Sequence, residues 1–272
     1  MHGMSLSVHE KRPEAGQSAA MPEVPVVPLY GMSFSRMNMK DTVAYLTAGI
    51  EQRRTMQVIT GNPIMIMTAL DNPAFHRAMR EAELLVPDGA GAVWAANHVG
   101  MPVAERVAGF DLLHELLHVG EQRRWSVFLL GTTQETIDEA AARLQRQYPL
   151  VRFVGTHHGF FGDDEDAEVI AKIREADPDM LFVARGVHNQ EPWIAKHKQA
   201  LGVPVMMGIG GSLDVIAGKL KRAPLFMQRL GLEWLYRLLL QPSRIGRMMA
   251  LPKFVIKVLR DRENVTKEYP TP

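Results

Sequence analysis

Short apolar runs that end at a glycine-containing turn, each followed by a helical stretch, recur along this 272-residue chain. Met56–Thr60 runs into Gly61-Asn62-Pro63, Leu84–Val86 into Pro87-Asp88-Gly89, and Trp125–Leu130 into Gly131. Gln134–Tyr148 then reads as an amphipathic helix. The series continues with strand Val151–Val154, helix Asp164–Ala176, strand Met180–Ala184 and helix Glu191–Ala200. Strand Val203–Ile209 closes it and opens into Gly210-Gly211-Ser212. Such alternation predicts an α/β fold, a Rossmann-like, mostly parallel sheet with helices on both faces. After Gly218 the strand signal stops and long apolar and basic helical stretches replace it. The expected organisation is a flexible leader over 1–28, an α/β domain over 29–218, and a basic amphipathic appendage over 219–272.

With 46% hydrophobic residues the chain is not a disordered one. No apolar run approaches the roughly 18 residues of a membrane span, and the first residues lack the apolar core of a secretory signal. A cytoplasmic protein is expected. The absence of cysteine excludes disulfides, thiolate-bound metals and cysteine nucleophiles. The formal charge of +1 hides a division. Between Lys219 and Arg262 lie eleven basic residues against two acids, Glu233 and Asp261, a net +9; the other twenty basic and twenty-eight acidic residues leave −8. That polarity points the tail toward an anionic partner: lipid headgroups, nucleic acid or a phosphorylated substrate. A solvated basic face is the plainer alternative.

Ligands of open parallel sheets bind beyond the carboxyl ends of the strands. Thr60 and Asn62 follow one such end, Asp88 another, His188-Asn189-Gln190 a third, and Ser212 and Asp214 a fourth. Each residue type is common in turns for reasons of its own; their convergence on one edge is the signal. Gly208-Ile209-Gly210-Gly211-Ser212 resembles a loop that lets backbone N–H groups approach a phosphate. It is neither a Walker A loop nor a dinucleotide fingerprint.

His114-Glu115-Leu116-Leu117-His118 spells H-E-x-x-H, the helical zinc motif of metalloproteases, with Glu139 as a conceivable third ligand. The leucines at 112, 113, 116 and 117 read equally as the buried face of an ordinary helix, and no metal is expected. His157-His158 reads as a loop pair. In the tail, Lys253, Lys257 and Arg260 form a stripe opposite Phe254, Val255, Val258 and Leu259. A basic amphipathic helix of this kind fits an anionic membrane surface, or packs its apolar face on the domain or on another subunit of a homo-oligomer. No stacking aromatics or reading motif accompany the charge, so nucleic acid is not the expected partner.

Ordered blocks across the chain carry a resemblance. Thr60-Gly61-Asn62-Pro63, Pro87-Asp88-Gly89-Ala90-Gly91, Arg106-Val107-Ala108-Gly109-Phe110-Asp111, Phe128-Leu129-Leu130-Gly131, His158-Gly159-Phe160-Phe161 and Gln190-Glu191-Pro192-Trp193 come first. Gly210-Gly211-Ser212-Leu213-Asp214, Lys221-Arg222-Ala223-Pro224 and Leu232-Glu233-Trp234-Leu235-Tyr236-Arg237-Leu238 follow. From about Val58 to Phe254 the chain resembles the WecG/TagA/CpsF glycosyltransferases, bacterial enzymes that move a sugar from a UDP donor to a polyprenyl-diphosphate-linked sugar in cell-surface polysaccharide synthesis, teichoic acid or exopolysaccharide. The resemblance implies an inverting, metal-independent transfer without a cofactor, at the inner face of the membrane, of N-acetylmannosamine, its uronic acid or a related hexose.

It also implies roles. Asp88 matches the general base. Thr60, Asn62, Arg106 and Gln190 match the donor-sugar pocket, and Phe160 and Asp214 match positions near the uridine. Arg237, Arg244 and Arg247 match appendage arginines that complete the catalytic site, and Gly210 and Gly211 belong to the loop that receives phosphate. The chain departs from the family at Ala184–Glu191, where Gly-Leu-Gly-x-Pro-Lys-Gln-Glu is usual, and at Phe160, where tyrosine is common. A nucleotide-binding α/β protein without transferase activity is the alternative; a zinc hydrolase built on His114 and His118 is a remote one.

Overall fold

The computed structural model describes residues 20–267. Eight strands, β1 Val26–Leu29, β2 Met32–Ser35, β3 Met56–Gly61, β4 Leu84–Pro87, β5 Ser126–Gly131, β6 Arg152–His157, β7 Met180–Ala184 and β8 Val205–Gly208, form one sheet in the order β1-β2-β4-β3-β8-β7-β5-β6. Only β1 and β2 pair antiparallel. All other neighbours are parallel, in registers such as Val58 with Leu84 and Val205 with Met56.

Inner strands of a parallel sheet are apolar on both faces, and successive residues serve opposite cores. Val58, Leu84, Val86, Val127, Leu129, Met180, Phe182, Val205 and Met207 join one cluster, packed under the helices Met39–Glu51, Gly109–Arg123 and Gln134–Gln147. Ile59 and Leu85 face the opposite side with Met65, Ile66, Phe75 and Met79 of the helices Pro63–Asp71 and Pro73–Arg80. Phe128, Leu130, Leu181, Val183 and Met206 extend that side under Asp166–Ala176 and Val187–Leu201. The chain leaves β3 toward one face and β8 toward the other, and between such ends a crevice opens.

The α/β expectation holds, and the strands and helices read from the pattern appear within one to four residues of their expected ends. Val187–Leu201 starts four residues earlier than expected and carries Pro192 inside it, where the ring forgoes the N–H that would bond to the His188 carbonyl.

One region differs from expectation. Of the leader read over 1–28, residues 1–19 lie outside the described residues, and Val26–Pro28 belong to β1. Edge strand β1 tolerates Pro28, which has no N–H, and turns into β2 through Tyr30 and Gly31, both with positive φ (51° and 77°). The C-terminal segment packs on the body, one of the arrangements its amphipathic pattern allowed. From its helix Ala250–Asp261, Phe254 and Val258 enter the core beside Ile59 and Ile66, with Val265 behind them. The Tyr30 N–H donates to the Val265 carbonyl at 2.7 Å, and Lys257 Nζ lies 5.2 Å from the Tyr30 ring centroid. Residues 268–272 lie outside the described part.

Candidate active site

Two adjoining cavities occupy the carboxyl edge of the sheet. The first, about 420 Å³, is polar and lies over the ends of β3, β7 and β8, lined by Thr60, Arg185, Gln190, Gly210, Ser212 and Asp214 among others. The second, about 640 Å³, is lined chiefly by apolar groups including Ile64, Trp234, Met248, Leu251, Phe254 and Val255. Their shared wall contains Asn62, Asp88, Glu233, Arg237, Arg244 and Arg247.

Asp88 follows β4. Its backbone N–H donates to the Gly61 carbonyl at 2.9 Å, and its Oδ2 accepts the Gly109 N–H at 3.3 Å. Gly109 opens its helix pressed against β3; a Cβ there would fall 2.8 Å from Thr60 Oγ1. Although the cleft leaves Asp88 partly accessible, burial raises its pKa, and Glu233 adds to the rise. Arg106, the Gly109 N–H and Arg237 oppose that shift without cancelling it. The result is a stronger base than a free carboxylate, at the boundary of the two cavities.

Asn62 caps the helix Pro63–Asp71, accepting from the N–H groups of Ile64 (3.0 Å) and Met65 (3.1 Å) through Oδ1. Its amide NH2 is the end it offers to the cavities. Gln190, buried, accepts the Gly210 N–H at 3.2 Å and donates to Glu191 at 2.8 Å. Gly210 has φ +50°, and Ser212 Oγ donates to the Ile209 carbonyl at 2.7 Å, which completes the turn. Asp214 lies 3.5 Å from the Thr132 hydroxyl. Phe160 is 73% exposed at the mouth of the polar cavity. Arg185 fixes its loop by donating to the carbonyls of Gly159 (3.2 Å) and Phe161 (2.8 Å) while stacking 3.7 Å from the Phe161 ring centroid.

The three arginines come from the helix Glu233–Leu240, the 3₁₀ turn Pro242–Arg244 and the helix Ile245–Met248. Burial, and then the charges of Arg237 and Arg247, lower the Arg244 pKa. A cluster of guanidinium groups that repel one another in this way is prepared for an anion.

Eleven of the twelve expected site residues thus line the cavities; Arg106 does not. It stands behind the wall, 3.2 Å from Glu233 Oε1, and acts on Asp88 through charge. Two residues were missed. Glu233 lines both cavities and pairs with Arg106 and, at 3.6 Å, with Arg222, which also grips Asp111 at 2.6 and 2.8 Å. Its signal was in the sequence: it is one of only two acids in the +9 segment. Glu191, buried in the polar wall, was hidden behind Gln190.

The zinc arrangement does not assemble. His114 Nδ1 lies 2.8 Å from the Tyr148 hydroxyl, Glu115 and His118 face solvent, and Glu139 pairs with Arg143 at 2.5 Å. Among the described residues no group of three or more His, Cys, Asp or Glu is placed to hold a metal ion.

The sequence profile of the glycosyl transferase WecG/TagA/CpsF family matches residues 27–268. The chain belongs to that family. Relatives of this glycosyltransferase include a Bacillus spizizenii protein, 36% identical over 90% of the chain and 95% of the relative. A Staphylococcus aureus protein is 35% identical over 89% and 95%. Both are named N-acetylglucosaminyldiphosphoundecaprenol N-acetyl-beta-D-mannosaminyltransferase.

Proposed function

We propose that this glycosyltransferase moves an N-acetylmannosamine-type sugar from a UDP donor to a sugar carried on a polyprenyl diphosphate. The observation that carries the reading is the position of Asp88 on the wall shared by a polar and an apolar cavity. The polar cavity takes the UDP-sugar, with Phe160 and Asp214 toward the uridine and Thr60, Asn62 and Gln190 toward the sugar. The apolar cavity takes the acceptor, its first prenyl units against Trp234, Leu251 and Phe254. The name shared by these relatives supports an acceptor of N-acetylglucosamine on undecaprenyl diphosphate.

In the transfer, an acceptor hydroxyl oxygen bonds to the anomeric carbon as the bond from that carbon to the UDP oxygen breaks. Asp88 takes the hydroxyl proton. The departing UDP keeps the bonding electron pair, and its charge is met by Arg237, Arg244 and Arg247. Attack from the acceptor side opposite the leaving group inverts the anomeric centre. The arginines supply the cationic charge, so the reading is metal-independent and needs no cofactor.

Among the described residues no helix is long and apolar enough to cross a membrane. Leu225, Phe226, Leu230, Leu239, Leu240 and Ile245, all at least half exposed, project from the segment that carries the arginines. They support a seat at the inner membrane face, beside the acceptor, with neighbouring cations at anionic headgroups. A panel of UDP-sugars with a short-chain prenyl-diphosphate N-acetylglucosamine, read by mass spectrometry with and without EDTA, tests this. A product heavier by one N-acetylhexosamine in both conditions is expected. UDP binding with no product from any donor would leave a nucleotide-binding protein and overturn the transferase reading.

A further inference from the structure

The transfer chemistry leaves one buried acid without a task. Glu191 is 1% exposed and its neighbour Gln190 is 2% exposed, and both line the polar cavity. Gln190 Nε2 donates to Glu191 Oε1 at 2.8 Å, while Gln190 Oε1 accepts the Gly210 N–H at 3.2 Å. From β3, Gln57 Nε2 donates to the Glu191 carbonyl at 3.0 Å and, more weakly, to Glu191 Oε2 at 3.4 Å. Gly208 on β8 makes room for the pair; a Cβ there would fall 2.1 Å from Glu191 Oε1 and 2.4 Å from Gln190 Nε2.

A carboxamide has one donating end and one accepting end, whereas a carboxylate only accepts. Facing Glu191, Gln190 has to turn its NH2 toward the carboxylate, which leaves its oxygen for Gly210. Rotating the amide by half a turn would set oxygen against oxygen at Glu191 and NH2 against N–H at Gly210, two buried mismatches at once. The acid therefore decides which way the amide points, and the amide holds the loop.

We propose that Glu191 is a positioning residue of the donor site, whose carboxylate orients Gln190 and through it sets the Gly208–Ser212 loop to receive the UDP moiety. The inference rests on the UDP-sugar reading of the polar cavity. It has a pH signature. No charged side chain takes part in the surroundings that shift this acid: Gln57 faces it from β3, Gly208 from β8 and Gln190 from its own helix. Burial raises its pKa to about 7, against the pull of the Gln190 and Gln57 amides. Protonation converts one accepting oxygen into a donor and releases Gln190 from its fixed orientation.

The test is the dissociation constant of UDP by calorimetry, on the full chain, for wild type, Glu191→Gln, Gln190→Ala and the double variant. At about pH 8 each single variant is expected to weaken UDP binding by about tenfold, near the worth of one buried hydrogen bond. The double variant is expected to bind no worse than Gln190→Ala alone, because Glu191 acts only through that amide. Toward pH 6 the gap between wild type and Glu191→Gln closes as the native acid takes up its proton. Unchanged affinity in Glu191→Gln, or losses that multiply in the double variant, would overturn the proposal. Wild type that fails to bind UDP at all would instead remove the donor reading of the cavity, and this inference with it. If Glu191→Gln loses its cooperative melt, Glu191→Asp replaces it in the pH 8 measurement and in the double variant, where its carboxylate, withdrawn by one methylene, is expected to weaken UDP binding by about tenfold and unchanged affinity overturns the proposal.

Discussion

Glu233 of the C-terminal segment meets Arg106 of the α/β body at 3.2 Å, across 127 residues of sequence, and both act on Asp88 through their charge. The pair ties the arginine-bearing helix to the base, and each partner moves the base in its own direction. Burial is the main reason that the Asp88 pKa is raised; Arg106 lowers it and Glu233 raises it. Arg106→Gln is therefore expected to shift the acid limb of the kcat/KM profile to higher pH, and Glu233→Gln to lower pH. Identical limbs in both variants would separate the pair from the titration of the base.

Asp88→Asn keeps the shape of the shared wall but cannot accept a proton. Turnover is expected to fall by about 10²–10⁴-fold, the usual contribution of a general base. UDP affinity should stay within about twofold, since the change creates no large cavity and removes no group that donates to the diphosphate. Single-turnover rates beside calorimetry read both quantities.

Arg237→Ala and Arg247→Ala each remove a cation from the shared wall, where the proposed transfer releases its diphosphate. A loss of about 10²–10³-fold in kcat is expected for each, as for other groups that stabilise developing negative charge. Arg237→Lys should recover only part of it, because an ammonium lacks the two-pronged donor face of guanidinium. Recovery to the wild-type rate with lysine would argue for simple charge rather than directed hydrogen bonds.

The apolar residues of the C-terminal segment divide into two kinds. Phe226 and Leu239 are 63% and 67% exposed, while Phe254 and Val258 are buried. Phe226→Ser with Leu239→Ser is expected to abolish flotation with anionic liposomes while shifting stability by less than about 1 kcal/mol. Phe254→Ala is expected to cost about 3–5 kcal/mol. Urea melts beside flotation distinguish the two outcomes.

The buried acid at 191 also predicts a stability profile. Its folded pKa of about 7 exceeds its ordinary 4.5, so the folded protein holds this proton more tightly than the unfolded chain. The stability it contributes is complete below the unfolded pKa and is lost as pH rises through about 7. Glu191→Gln cannot ionise and escapes that decline, so the variant should gain on wild type by on the order of 3 kcal/mol between pH 4.5 and 7. Urea midpoints across that range check it.

The inner strands were legible because burial on both faces makes them uninterrupted apolar runs that end at glycine. Asp88, Asn62 and the Gly210 loop followed from that pattern, since strand ends and their turns place the site. The β1–β2 hairpin was not legible: Tyr30 occupies a left-handed position that favours glycine or asparagine, and Pro28 breaks the strand composition. Of the expected apolar stripe only Phe254 and Val258 are buried, while Val255 and Leu259 stay exposed, because periodicity does not name what a stripe packs against. Arg106 is expected in the cavity on the resemblance alone, and a matched motif does not separate a ligand contact from an ion pair behind the wall.

The C-terminal helix that seats Phe254 and Val258 against the N-terminal hairpin has a consequence for biosynthesis. All eight strands leave the ribosome before any of the three wall arginines, and the helix that anchors those arginines follows later still. A nascent chain can thus collapse its sheet while still lacking half of its reaction chamber. Chains truncated before Arg237 are therefore expected to show no transfer, which a turnover assay on such a truncation would read.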